Sequence, residues 1–176
     1  MGRRPRGRTA GASLALSCVL AVSAGCASPS EMSFRQDKRM TIVSPHNEET
    51  VRLPFTVDWT MRDFTAVEPG SPVRSGAGYY AILLDRYPVA PGKSLASLVT
   101  NDACVGVENC PDAAFLAENL NVYVTSRTSY TINAVPTSGV AHSSSHFLTV
   151  ILVDGAGQRM GESSWTVSFT VAGDAS

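Results

Sequence analysis

No stretch of this 176-residue chain is apolar over the roughly 20 residues that a membrane-spanning helix needs. The nearest candidate, Thr9 to Ala24, is shorter and rich in Ala, Ser and Gly, which argues against a permanent span. Charged residues make up only 16% of the chain, and no basic stripe with interleaved aromatics occurs, so nucleic acid has nothing to hold. Catalytic motifs are missing as well. Gly161-Glu162-Ser163-Ser164 is not a nucleophile elbow, no paired-histidine zinc helix occurs, and no phosphate-cradling glycine loop follows a strand. Internal repeats and low-complexity tracts are also absent, which leaves a single ordinary globular domain as the expectation.

What is present begins at the N-terminus. Arg3, Arg4, Arg6 and Arg8 make a positive start, an uncharged and mostly apolar run follows, and small residues lead into Cys26 in the stretch VSAGC. This resembles a bacterial lipoprotein signal with its lipobox, although Ser23 stands where Leu is usual. The resemblance implies that residues 1–25 are removed and that Cys26 becomes a lipidated N-terminus. It implies more than one acyl chain, which matters because one chain alone gives only marginal, reversible membrane binding. Ordinary signal cleavage after Ala24 is the competing reading, and Arg3-Arg4 leaves the export route open. Removing the segment leaves 10 basic against 15 acidic residues, a net charge of −5. Such a domain does not adhere to an anionic membrane face by charge, so the lipid is left to do so.

Residues 26–39 are polar and without hydrophobic period, and read as a flexible tether of about 20 Å reach. Residues 40–172 then form the domain, with 173–176 as a tail. Its dominant period is two. Val51, Leu53, Phe55, Val57 and Trp59 alternate with polar residues, which predicts one strand with Pro54 as a sign of an edge or bulge. Trp165, Val167, Phe169 and Val171 repeat the pattern, placing Trp59 and Trp165 inside. Tyr79 to Leu84 and Phe147 to Val153 are apolar on both sides and predict central strands. Thr41 to Val43, Val122 to Thr125 and Tyr130 to Val135 are shorter strand candidates, and Asp154-Gly155-Ala156-Gly157 predicts a hairpin turn.

His146 to Val171 resembles the last hairpin of bacterial immunoglobulin-like and fibronectin type III-like modules, and Thr41 to Trp59 resembles their opening. The resemblance covers about a third of the domain and implies an all-β, antiparallel immunoglobulin-like β-sandwich, with short helical turns in one long loop. Antibody-type domains join their two sheets by a disulfide. Here Cys104 and Cys110 lie only six positions apart and close a local loop. Outside the cytoplasm they are expected to form a disulfide, contributing about 2 kcal/mol by loop closure. Zinc is the rival, without a second pair of ligands nearby. Cysteine counting then leaves Cys26 over, since Cys18 departs with the signal.

Two long connections remain. Arg62 to Gly78 joins two strands, and Arg86 to Leu120 carries the cysteine loop and helical-looking turns at Ser94 to Val99 and Asp112 to Asn119. Long loops on sandwiches commonly carry binding, so Tyr87, Asp102, Glu108 and Asp112 form the candidate partner-binding loop. The alternative is a structured cover over a sheet edge. His142 and His146, with Met40, His46 and Met160 elsewhere, offer a weak copper or zinc set; the competing reading is a polar loop with exposed histidines. The overall expectation is a lipid-anchored binding or accessory module on the extracytoplasmic face of a bacterial membrane. It has no catalytic activity and no cofactor, binds no nucleic acid, and takes a protein or cell-wall partner. A metal-handling protein and a hydrolase using loop carboxylates are the alternatives.

Overall fold

A computed structural model of the chain describes residues 37–99, 104, 110–136 and 145–172, all within one compact unit. The signal segment, Cys26, most of the tether, Asp102, Glu108, His142 and the tail lie outside the described residues. The fold is all-β. Strands β1 (Met40–Ser44), β3 (Phe55–Met61) and β7 (Ser129–Ile132) form a small sheet in the order β1-β3-β7. The larger sheet runs β2 (Glu49–Val51), β9 (Trp165–Val171), β8 (Ser145–Val153), β5 (Ala77–Leu84). On its far side β5 pairs with both β4 (Thr65–Ala66) and β6 (Val122–Thr125). One of the two sheets is curled into a half-barrel.

The continuous apolar runs of β5 and β8 have the role their composition predicts, since both strands lie inside the larger sheet and are buried on two faces. Tyr80, Ile82, Leu84, Leu148, Val150 and Leu152 face the small sheet and meet Phe55, Val57 and Trp59 there. Trp59 and Trp165, 3% and 5% exposed, are in this core as expected. The alternate residues Tyr79, Ala81, Leu83, Ile151 and Val153 form a second core with Val89, Leu95 and Leu116. These last three belong to the long connection after β5. That connection therefore covers a sheet face, whereas the sequence suggests an edge. The edge of β5 is already taken by β6, and an uncovered face of this size would expose five buried side chains to water.

The cover is built as its polar residues dictate. Ser94 caps a short 3₁₀ turn (Leu95–Leu98) through the amide of Ala96. Asp112 caps α1 (Ala113–Leu120) by accepting from the amide of Phe115 at 2.7 Å. Cys104 and Cys110 are joined in a disulfide with their Cα atoms 5.2 Å apart.

The segment Val51–Trp59 is the clearest departure from expectation, because it is two strands and not one. Val51 pairs with Val171 in the larger sheet, while Phe55 pairs with Ile132 in the small one. Between them Leu53 is 38% exposed and Pro54 has no N–H to give a ladder. The chain uses this gap to cross from one sheet to the other. Alternation continues across the crossing, so periodicity alone does not reveal it.

Candidate functional site

β1 and β9 are the strands along which the two sheets meet at one side, and a groove of about 530 Å³ opens between them. Met40, Thr41 and Ile42 make one wall, and Trp165, Thr166 and Val167 the other. Lys38 and Arg62 stand at one end, with His46 and Asn47 at the opposite end. Both walls are strand edges. β9 is paired with β2 only at Phe169, Thr170 and Val171. One step earlier, Ser168 is met by the intervening turn, its carbonyl accepting from Glu48 N at 2.6 Å and its amide donating to Asn47 Oδ1 at 3.1 Å. Because backbone direction alternates along a strand, Thr166 turns its N–H and C=O the same way as Ser168, and no strand among the described residues meets them there. On β1, Arg62 N donates to Arg39 O, so the backbones of Arg39 and Thr41 face β3 while those of Met40 and Ile42 face the groove.

The end of the groove where the chain enters the domain is held by Asp37. Its carboxylate accepts from Arg39 Nε and Nη2, from the Arg39 amide and from Ser163 Oγ, and its carbonyl accepts the indole N–H of Trp165 at 2.8 Å. Asp37 to Arg39 are thus bonded to the folded domain, whereas the sequence suggests that the domain starts at Met40. A polar segment has no periodicity to report such bonds. The Arg39 guanidinium, then Ser163, hold the Asp37 carboxyl far below its ordinary value of 3.8, against the opposing effect of partial burial. Because the folded-state value is depressed, the stabilisation is present above about pH 4 and is lost as pH falls through the folded-state value. Asp37→Asn is expected to lower stability by about 2 kcal/mol at pH 7, with a smaller difference from the parent at pH 2 in urea titrations.

The sequence-predicted residues that are described do not come together. Tyr87 is 81% exposed on the cover, its ring 5.4 Å from that of Phe147. Asp112 is the cap of α1, a structural use of its carboxylate. His146 overturns the reading of a polar loop with exposed histidines. It is 8% exposed on β8, its ring stacks on Phe169, and its Nδ1 lies 2.6 Å from Asp85 Oδ2. The same carboxylate accepts the Phe147 amide through Oδ1 at 2.9 Å. Asp85 follows β5 with φ 52°. Its part in this pair is not signalled in the sequence beyond its position after an apolar run. Met40 is in the core, and His46 is exposed and bonded to Glu49. Among the described residues no three His, Cys, Asp or Glu side chains converge on one point. No helix among them is long and apolar enough to cross a membrane.

Comparison with known protein families, with curated proteins and with solved structures finds no match to this chain.

Proposed function

We propose that this chain is a lipid-anchored, extracytoplasmic binding or accessory module of a bacterial cell envelope, built on an immunoglobulin-like β-sandwich. The observation that carries the address is the disulfide. With Cys104 and Cys110 bonded to each other, the remaining cysteines are Cys18, inside the apolar segment, and Cys26, at the end of the lipobox-like VSAGC. Cys26 is then the thiol free to take lipid, and an acidic domain makes such an anchor the means of staying at the membrane.

The finer fold reading is supported by strand order. The neighbours β1-β3-β7 follow the A-B-E order of an immunoglobulin-like sandwich, and β9-β8-β5 follow G-F-C, with β6 beside β5 as in the variable type. A scaffold of this kind does not name a ligand. The binding role rests on the groove between β1 and β9, whose walls carry backbone groups without strand partners among the described residues.

Mass spectrometry of the mature protein from a bacterial host tests the anchor. The expected result is an N-terminus at Cys26 carrying acyl chains, with Cys26→Ser shifting the protein from the membrane to the soluble fraction. An unmodified N-terminus at Gly25, or a cut elsewhere, overturns it. Crosslinking in the membrane fraction tests the binding role, and recovery of the uncrosslinked chain alone overturns that.

A further inference from the structure

We infer that the groove between β1 and β9 is a docking site for an extended, acidic peptide segment of a partner protein. The inference deepens the binding-module reading and rests on it, but it is independent of the lipid anchor. Two observations carry it.

The first is the set of backbone groups. Thr166 on one wall and Met40 and Ile42 on the other turn their amides and carbonyls into the groove, beyond the reach of any strand pairing among the described residues. A strand edge with alternating donors and acceptors recognises one chemistry above others, an extended peptide backbone, which bonds to it at a two-residue step. Of the usual protections of an open edge, β1 carries one, a break in register between Ile42 and Ser44 that leaves Met40 to Ile42 regular. Pro45 stands after β1 rather than within it, and the residues of β9 that line the groove, Trp165, Thr166 and Val167, are neither charged nor proline. At Ser168 the protein itself covers the edge with Asn47 and Glu48, and that cover ends before Thr166.

The second observation is charge. The one carboxylate lining the groove, Asp37, is spent on Arg39 and Ser163, and Arg39 also feels Asp63. Lys38 and Arg62 line the same end, both exposed, and neither has an ion-pair partner among the described residues. Arg62 is oriented by donating to the Lys38 carbonyl at 3.0 Å. Two cations without ion-pair partners among the described residues, beside an open strand edge, select a segment that brings its own carboxylate.

The probe is a blocked peptide of about ten residues that alternates Thr and Val and carries two Glu side chains. It is titrated into the mature protein in detergent micelles, with backbone amide shifts read by NMR. The expected result is movement of the Thr166, Met40 and Ile42 amides. Affinity should fall about tenfold for the surface pair Lys38→Glu and Arg62→Glu, and by a similar factor when alternate amides of the peptide are N-methylated. Equal binding by the methylated peptide overturns the proposal in favour of simple anion attraction. Concentration-dependent shifts of the same amides without peptide overturn it in favour of a second copy. Shifts confined to Tyr87 and its neighbours, or none up to about 5 mM peptide, remove the groove as the site. A partner crosslinked in the membrane fraction would in those last cases leave the binding-module reading standing.

Discussion

Gly78→Ala is expected to prevent the chain from reaching its folded state. A Cβ at this position would lie 2.0 Å from the carbonyl oxygen of Val153 and 2.9 Å from its carbon, distances at which something must shift. The obstacle is backbone, so no side-chain rotation relieves it. Gly78 lies in β5 and Val153 ends β8, the two strands that carry both cores, so separating them there opens both cores at once. The cost of such overpacking in a central strand pair exceeds about 4 kcal/mol, enough to remove most of the stability of a domain this size. Loss of the cooperative thermal transition measured by circular dichroism is the expected readout. Gly161→Ala is the control. Gly161 has φ 66°, but nothing lies within 4 Å of the place a Cβ would take, so only left-handed backbone strain of about 1 kcal/mol is expected. Equal losses from the two substitutions would refute the steric account.

Arg159→Met is expected to loosen the cover from the larger sheet and to cost about 3 kcal/mol. Arg159 is 8% exposed, and its guanidinium has no carboxylate partner among the described residues. It donates instead to the carbonyls of Val89, Glu162 and Ser163. Burial lowers its pKa from the ordinary value, with Glu162 opposing the shift, yet arginine remains charged at any working pH. Val89 belongs to the cover, while Glu162 and Ser163 precede β9, so one side chain ties two separate segments. Its backbone adds two more ties, accepting from Gly92 and donating to Lys93. Methionine fills much of the same volume but leaves the carbonyls without their donor. Faster trypsin cleavage after Lys93, together with a lower urea midpoint, is the expected outcome. Arg159→Lys keeps the charge without the planar fork and should recover only part of the loss. Unchanged proteolysis in Arg159→Met would show that the backbone ties alone hold the cover.

Both positions show where the sequence is silent. A glycine in a strand and an arginine after a turn have many uses, and only the neighbour across the sheet tells which one applies. The same holds for Asp37 and Asp85. Each looks like an exposed carboxylate near the end of an element, yet one secures the start of the domain and the other secures His146 inside it. The partners are 126 and 61 positions away, beyond anything local pattern reports.

The groove was equally hidden. Lys38 reads as tether and Arg62 as loop, and Thr166 reads as the polar side of an alternating strand. What unites them is that β1 pairs with β3 in the small sheet, whereas the next strand, β2, pairs with β9 in the larger one, so the chain changes sheets between Ser44 and Glu49. The length of the connection after β5 pointed instead to Tyr87 and Asp112, and the structure uses much of that connection to cover a sheet face.

The sequence by itself determined the β-rich class, the central place of β5 and β8 and the inward orientation of Trp59 and Trp165, and it favoured a disulfide between Cys104 and Cys110 over a metal site. Those follow from local rules: period two sets the faces of a strand, continuous apolar runs require burial on both sides, and six positions bring two thiols within reach. Tertiary structure alone decided which strand lies beside which, what the long connection covers, and which strand edges stay open. Such features depend on residues distant in the chain meeting in space, and the free energy of those meetings is not written in the neighbours of either partner.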